Sequence, residues 1–380
     1  MNPPNVSRAA RYSGRVALNR VSTVKACREC GRVPINKHGA VGVRLHKVGG
    51  KKSAGFAGLS TCGRIWLCPV CNSKVMASRA LEIGVTLAWA SANGYSVIWG
   101  SLTASHRLGV GLGWLINVQR SSWRRLVSLK PWWSDSLAHG GNRVGYIRAA
   151  EITVGANGWH PHFHPLIIVK GSYTDAVNTS RWIVREWVAG IKLAGGSAVA
   201  RDAQQLVVLR PAEAGQALAD YVTKARYTPE KLALEAVWSQ SKVGARRGRV
   251  GATSAHWGLL TAAGAGEAVE GLAWWELEAA TAGHRMIAWS RELRALVGLG
   301  VEASDEKIAA ATVGDLEDTV CWITPAGWVT VANLPDCASQ ILDVLEQGGW
   351  SALRAFLDLN GVVWVTSAEL DIVQYSQAST

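Results

Sequence analysis

The chain has 380 residues, with 40 Lys and Arg against 28 Asp and Glu and a formal net charge of +12, long enough for two or three hydrophobic cores. No apolar run approaches the ~18 residues of a membrane span. The basic N-terminus, MNPPNVSRAARYSGRVALNR, lacks the apolar segment of a signal peptide. Seven cysteines, an odd number without a signal, argue against a disulfide framework and for a reducing, cytoplasmic setting.

The charge is uneven. Residues 1–85 carry fifteen basic side chains against two acidic ones, Glu29 and Glu82, whereas residues 301–380 carry two basic against twelve acidic. A basic front half suits a polyanionic partner, because each neutralised phosphate releases counterions. The acidic end would stay off that partner.

In chain order, residues 1–26 read as a basic, disordered arm, and residues 27–75 as a Cys-rich module. Cys27-Arg-Glu-Cys30 and Cys68-Pro-Val-Cys71 are two C-x-x-C pairs separated by 37 residues. Two such pairs are the common spacing of a tetrahedral structural zinc, so Cys27, Cys30, Cys68 and Cys71 are the expected ligands. Met76–Asn93 reads as a helix, with Leu81, Val85, Ala88 and Trp89 at 3.6-residue spacing before Asn93-Gly94. Tyr95–Thr103 reads as a strand, and residues 112–130 as an amphipathic helix carrying Trp114, Trp123 and Arg124-Arg125. Of the nineteen tryptophans, most serve core packing, although stacking on unpaired bases is a second use.

Residues 145–170, GYIRAAEITVGANGWHPHFHPLIIVK, read as two strands about an Ala-Asn-Gly turn. Alternation puts His160, His162 and His164 on one face of the second strand. A loop of residues 155–158 pairs Val154 with Trp159 and places Glu151 opposite His162, within ligand-sharing reach; a one-residue slip would turn it away. Imidazoles with a carboxylate suit Mg, Mn or Zn. The third ligand is left open among Glu151, His160 and His106.

Tyr173–Gly190 then reads as a helix, Ala203–Leu209 as a strand, and a helix from Pro211 carries Tyr221 and Lys224 on one face. Residues 241–251, SKVGARRGRVG, form a basic connector with Arg246 and Arg247. Residues 253–303 are helical, serving either DNA contact or core packing. The acidic end, 304–380, reads as a helix, a hairpin about Pro325-Ala326-Gly327 and helices at 335–347 and 349–359, a small winged-helix-like domain. Cys321 and Cys337 have no ligand-spaced neighbour and read as buried thiols. The sum is an α+β chain with an antiparallel sheet flanked by helices, its core spanning 76–230 and its linker 231–252.

The string WHPHFHPLIIV, preceded by Glu151, resembles the His-hydrophobic-His motif of the HUH endonucleases, and more narrowly the single-tyrosine rolling-circle initiators of actinobacterial-type plasmids. STCGRIWLCPVCNSKVMASRA resembles their Cys-rich block, with Arg64, Lys74 and Arg79 at its basic positions as DNA contacts. The longer gap from Cys62 to Cys68 leaves Cys62 without an assigned role. YSVIWGSLT is similar to their first motif strand, Tyr221-Val-Thr-Lys224 to their Tyr-x-x-Lys motif, and GHRMIAWSRELR to their C-terminal block. The resemblance implies a split βαβ nuclease core and a divalent metal, Mg or Mn, on His162 and His164. It also implies that Tyr221 attacks the scissile phosphate to leave a 5′-phosphotyrosine link, with Lys224 stabilising charge. The freed 3′-hydroxyl would prime a host polymerase, with a host helicase, at a plasmid origin that is single-stranded at the nick. Some members carry a glutamate one turn before the tyrosine for termination; here that position is Ala217. A relaxase or transposase of the same superfamily, or a non-catalytic zinc-containing DNA-binding regulator, are the alternatives.

Overall fold

The computed structural model describes residues 7–36, 39–48, 50–129, 132, 142–197, 203–211 and 254–370. The chain divides into two compact units, one holding Ser73–Ala303 and the other joining Asn5–Asn72 to Ser304–Thr380. The division falls within a long helix, Pro69–Ala92, so each unit is taken by itself. Among the described residues no helix is long and apolar enough to cross a membrane.

The terminal unit begins with helix α1 (Arg8–Val21), where a disordered arm was expected. Ser7 caps it by accepting from Ala10 N, Leu18 is fully buried, and Arg8 pairs with Asp343 at 2.5 Å and Glu346 at 2.7 Å. Charge alone had marked the segment as solvated, yet the acidic partners for its arginine lie over 330 residues away in sequence. After the short helix α2 (Lys25–Glu29), strands β1 (Val41–Val48) and β2 (Lys51–Ala57) form an antiparallel hairpin.

The acidic C-terminal region is not a self-contained domain. Its strands β9 (Thr319–Ile323) and β10 (Trp364–Val365) complete a sheet of order β10-β9-β1-β2. One five-residue and one two-residue strand could not form a stable sheet alone. The expected Pro-Ala-Gly hairpin is instead the end of β9 followed by a helix, Pro325–Asn333. Thr324 caps that helix by accepting from Gly327 N, and Pro325 sits in its first turn, where its missing N–H costs nothing. The last helical stretch, Cys337–Leu359, breaks at Gly349 (φ +70°), as expected from two helices. Cys321 and Cys337 are buried in this unit's core with Val41, Ile323, Trp328 and Leu345.

The Ser73–Ala303 unit contains most of α3 (Pro69–Ala92), then β3 (Ser96–Thr103), α4 (Leu112–Ser128), β4 (Asn142–Gly155), β5 (Gly158–Lys170), α5 (Tyr173–Leu193) and β6 (Gln205–Leu209). β7 (Ser254–Ala255), α6 (Trp257–Gly264), α7 (Ala268–Thr281), β8 (Ile287–Trp289) and a short α8 (Leu293–Leu296) follow. The sheet is antiparallel, of order β6-β3-β5-β4-β7, with β8 also on β4. On α3 the exposed residues include Leu81 and Val85; the buried stripe is Met76, Ala80, Ile83, Leu87 and Ala90, an equally helical spacing.

One face of this sheet is covered by α4 and α5. Ile98, Leu102, Phe163, Ile167 and Val169 from the strands pack with Trp123 and Leu126 of α4 and Ile183, Trp187 and Ile191 of α5. The two helices come close at Gly190, where a Cβ would lie 2.4 Å from Ser122 Oγ. α5 starts with a capping box between Ser172 and Asp175. Leu112 N, at the start of α4, donates to Glu276 of α7 at 2.7 Å, a carboxylate suited to a helix N-terminus.

The block containing GHRMIAWSRELR packs on this core. β8 pairs with Ile147–Ala149, Met286 and Leu293 are fully buried, and Arg294 reaches Glu82 of α3 with two contacts of 2.9 Å.

Candidate metal centre

Along β5, alternation sends the histidines to the face opposite the α4–α5 core. The register pairs Val154 with Trp159, Glu151 with His162 and Ala149 with His164. The result is a compact group. Glu151 Oε2 lies 2.5 Å from His162 Nε2 and 2.8 Å from His164 Nε2, and the ligand atoms of all three residues lie within 4.8 Å of one another.

Both imidazoles are held through their other nitrogen. His164 Nδ1 donates to the carbonyl of Gly100 at 3.1 Å, and His162 Nδ1 to the carbonyl of His160 at 3.3 Å. A carbonyl can only accept, so each Nδ1 donates, and each Nε2 is turned toward Glu151, where it donates to the carboxylate when it carries a proton and offers its lone pair to a cation when it does not.

The prolines explain part of this. The pairs Trp99↔Leu166 and Leu102↔Phe163 put Gly100 opposite Pro165. Proline has no N–H for the ladder, and the carbonyl of Gly100 accepts from His164 instead. Gly100 itself has φ +149°, and a Cβ there would lie 1.7 Å from the carbonyl oxygen of Gln205 on β6; no other residue fits.

Glu151 is 1% exposed, and its Oε1 has no hydrogen-bond partner among the described residues. Burial pushes its carboxyl up, but hydrogen bonds from His162 and His164 outweigh that and hold it well below the usual carboxylate range. A buried carboxylate with one orphaned oxygen and two Nε2 atoms converging on the other is a donor set that fits a divalent cation.

His160 stands outside this group. Its Nε2 is 2.8 Å from Thr103 Oγ1, and its ring stacks on His106 with centroids 4.2 Å apart and planes 17° apart. Burial and the neighbouring His162 and His106 push it down to about 4, so it is neutral near pH 7. Of the three candidates for the third ligand position, the structure brings Glu151 to the pair and leaves His160 and His106 beside it. Thr103 is fixed on every side, with its N–H donating to Gln204 Oε1 and its carbonyl accepting from Trp187 Nε1, both at 2.9 Å.

The cysteines gather in the terminal unit. Cys30 Sγ lies 3.7 Å from Cys68 Sγ and 3.6 Å from Cys71 Sγ, and Cys62 Sγ lies 3.7 Å from Cys71 Sγ. Tetrahedral zinc with Zn–S bonds of about 2.3 Å would place its sulfurs about 3.8 Å apart, so the four buried thiols fit such an ion. Hydrogen bonds from Cys30, Cys62 and Cys68 hold the Cys71 thiol far below the usual range. Cys62, not Cys27, completes the four. Gly63, at φ +61°, turns the chain directly after Cys62, a signal present in the sequence as Cys-Gly but outside the C-x-x-C rule. Cys27 is buried nearby, its carbonyl accepting from Asn19 at 2.7 Å.

The expected DNA contacts divide. Arg64 and Lys74 are exposed. Arg79 is 3% exposed and pairs with Glu82 at 3.1 Å and Glu302 at 3.3 Å while donating to the carbonyl of Ala303 at 2.7 Å; a guanidinium so enclosed has no face left for a phosphate. Tyr221, Lys224, Arg246, Arg247 and Ala217 lie outside the described residues.

Residues 56–200 match a family described as "Replication protein". A protein of Streptomyces lividans named "Protein rep" is 29% identical over 338 residues, covering 73% of this chain and 73% of the relative. A protein of Streptomyces cyanogenus named "Neomycin resistance protein" is 32% identical over 138 residues, 30% of this chain and 31% of that protein. No solved structure gives a significant match.

Proposed function

We propose that this chain is a plasmid replication initiator that works as an HUH-type endonuclease, nicking one strand at its origin and later rejoining it. The observation that carries the reading is the convergence of His162 and His164 on Glu151 inside the stretch that matches the replication protein family.

In this reading Glu151, His162 and His164 hold Mg or Mn, and Cys30, Cys62, Cys68 and Cys71 hold a structural zinc. A divalent cation at the triad supplies Lewis-acid polarisation of a phosphate oxygen. Tyr221 attacks the scissile phosphorus: its phenol loses its proton to water, a bond from the phenolic oxygen to phosphorus forms, the bond from phosphorus to the 3′-oxygen breaks, and that oxygen takes up a proton from water to become the 3′-hydroxyl. A phenol with an ordinary pKa of about 10 is a poor nucleophile at neutral pH, so Lys224, three residues on in sequence, stabilises the developing negative charge. Thr103 and Gly100 hold His160 and His164 in place and take no part in the chemistry. The 3′-hydroxyl then serves a host polymerase, with a host helicase opening the duplex.

The test is a denaturing gel of the protein with single-stranded oligonucleotides spanning the nick region and Mn. A covalent protein–DNA band that is lost in Tyr221→Phe and kept on replacing Tyr227, a second tyrosine six residues on and outside the Tyr-x-x-Lys motif, by Phe supports the reading. A zinc-containing DNA-binding regulator would account for the cysteines and give no such band, but it leaves the triad without a task.

A further inference from the structure

In the terminal unit, the β1–β2 hairpin runs past the layers that cover its base. The register pairs Val43 with Phe56, Leu45 with Ala54, Lys47 with Lys52 and Val48 with Lys51. Along one face, Val43 and Ala54 lie in the core, with Leu45 and Phe56 packed against it. Along the other, Arg44 reaches Thr312 Oγ1 at 2.9 Å, and a Cβ at Gly55 would lie 2.9 Å from Val313. Pairing with the neighbouring strand β9 stops at Arg44↔Thr319, and Leu45 N then donates to the carbonyl of Asp318 at 3.0 Å. Beyond His46, whose Nδ1 lies 2.8 Å from Asp318 Oδ2, the tip stands clear. Lys47, Gly50 and Lys52 are exposed, and a Cβ at Gly50 would meet nothing within 4 Å.

Lys47 and Lys52 follow Leu45 and Ala54 on the same face. They are direct cross-strand partners, which sets their Cβ atoms about 5 Å apart. Like charges so placed destabilise a hairpin, and a polyanion lying across both ammonium groups reverses that sign. Asp318 and Glu346 touch the hairpin further back, at His46 and at the backbone N–H of Ala54. The surrounding sequence keeps one sign: the 52 residues between Glu29 and Glu82 hold nine Lys and Arg and no acidic residue. The tip also precedes residues 56–200, the stretch that matches the replication protein family, so that match gives it no task. From Lys47 to Ser53 the sequence KVGGKKS offers no ring on which an unpaired base could stack. Lysines are flexible point charges that suit phosphates whatever the base, and a two-stranded ribbon is narrow enough for the major groove of a duplex.

We propose that the tip of the β1–β2 hairpin docks on the phosphate backbone of duplex DNA, with Lys47 and Lys52 each neutralising a phosphate. The choice of DNA among polyanions rests on the nicking reading above; the cationic tip itself does not. Because the triad belongs to the other unit, this contact adds affinity for the duplex and takes no part in strand cleavage.

The decisive variant is the pair Lys47→Gln and Lys52→Gln, with Lys47→Arg and Lys52→Arg as the charge-preserving pair. A control pair, Lys25→Gln and Arg354→Gln, removes the same charge from side chains 79% and 63% exposed elsewhere in the same unit. Binding of duplex and single-stranded oligonucleotides of unrelated sequence is measured by anisotropy from about 50 to 300 mM NaCl, without added divalent cation so that no strand is cut. For the glutamine pair at the tip, the duplex slope of log K against log salt should become shallower by about 1.8, at about 0.9 per phosphate, with duplex binding about tenfold weaker near 0.1 M salt. Single-strand binding should be kept, and the arginine pair and the control pair should bind as the wild type does. The glutamine pair should also melt at or slightly above the wild type in low salt, because the cross-strand repulsion is gone; this separates lost binding from lost fold. A duplex slope equal to that of the wild type, an equal loss in the control pair, or as large a loss on single strands overturns the proposal. The covalent band on single strands should be unchanged in the glutamine pair. Its absence from the wild type refutes the nicking reading alone, since the duplex slopes are read without cleavage.

Discussion

Replacing Arg79 by alanine separates an architectural from a DNA-binding role for a residue whose sequence context suggested the latter. The side chain is 3% exposed and bridges Glu82, Glu302 and the carbonyl of Ala303, tying α3 to the segment just before Ala303. Removing one partner of a buried ion pair costs about 3–5 kcal/mol, because the other charge is left uncompensated. Glu82 keeps its two contacts with Arg294, and Glu302 keeps Arg285, whose side chain is 70% exposed, so the lower end, about 3 kcal/mol, applies. At about 2–4 °C per kcal/mol for a unit of this size, the loss should appear in calorimetry as a melting temperature lower by roughly 6–12 °C. The salt slope of oligonucleotide binding should not move. An unchanged melting temperature together with a slope reduced by about one would refute this reasoning and return Arg79 to the DNA surface.

Other consequences follow from the same geometry. Cys62→Ser should lower the zinc content measured by inductively coupled plasma mass spectrometry, while Cys27→Ser keeps it; the reverse pattern would reinstate the paired C-x-x-C ligand set. Gly100→Ala forces a Cβ against the carbonyl oxygen of Gln205 at a backbone angle that suits only glycine, so it should destabilise the Ser73–Ala303 unit by about 2–4 kcal/mol in urea titrations. Burial pushes the Cys321 thiol up to about 12. The folded state therefore keeps a proton that the unfolded chain loses from about pH 9. The stability this contributes is full below that pH and declines as pH rises toward 12. Thermal melts from pH 8 to 10.5 should show wild type losing stability more steeply than Cys321→Ala, and parallel curves would exclude it.

Much of the metal site was legible because it rests on local periodicity. The alternation of His160, His162 and His164 and the length of the Ala-Asn-Gly turn sufficed to put Glu151 opposite His162. What the alternation could not rank was His160 against Glu151, since both share that face; hydrogen bonding decided it, with Thr103 taking the His160 ring. Prolines at 161 and 165 suit an edge strand, yet β5 lies between β3 and β4, and the carbonyl of Gly100, opposite Pro165, accepts from His164 instead. The terminal unit was least legible. Its sheet joins β1 and β2 to strands more than 260 residues later, its N-terminal helix is held by Asp343 and Glu346, and its fourth thiol comes from Cys62 through a turn at Gly63. None of these is a periodic pattern; each depends on a contact distant in sequence or on a backbone conformation that one residue type permits.

The central claim, that the triad holds the cation on which strand cleavage depends, is tested most directly by pairing manganese binding with nicking in Glu151→Gln. Isothermal titration should show manganese affinity at least tenfold weaker than wild type, and single-stranded oligonucleotide cleavage should fall with it and recover in part as manganese is raised. Cleavage at wild-type rate with unchanged manganese affinity would contradict the account.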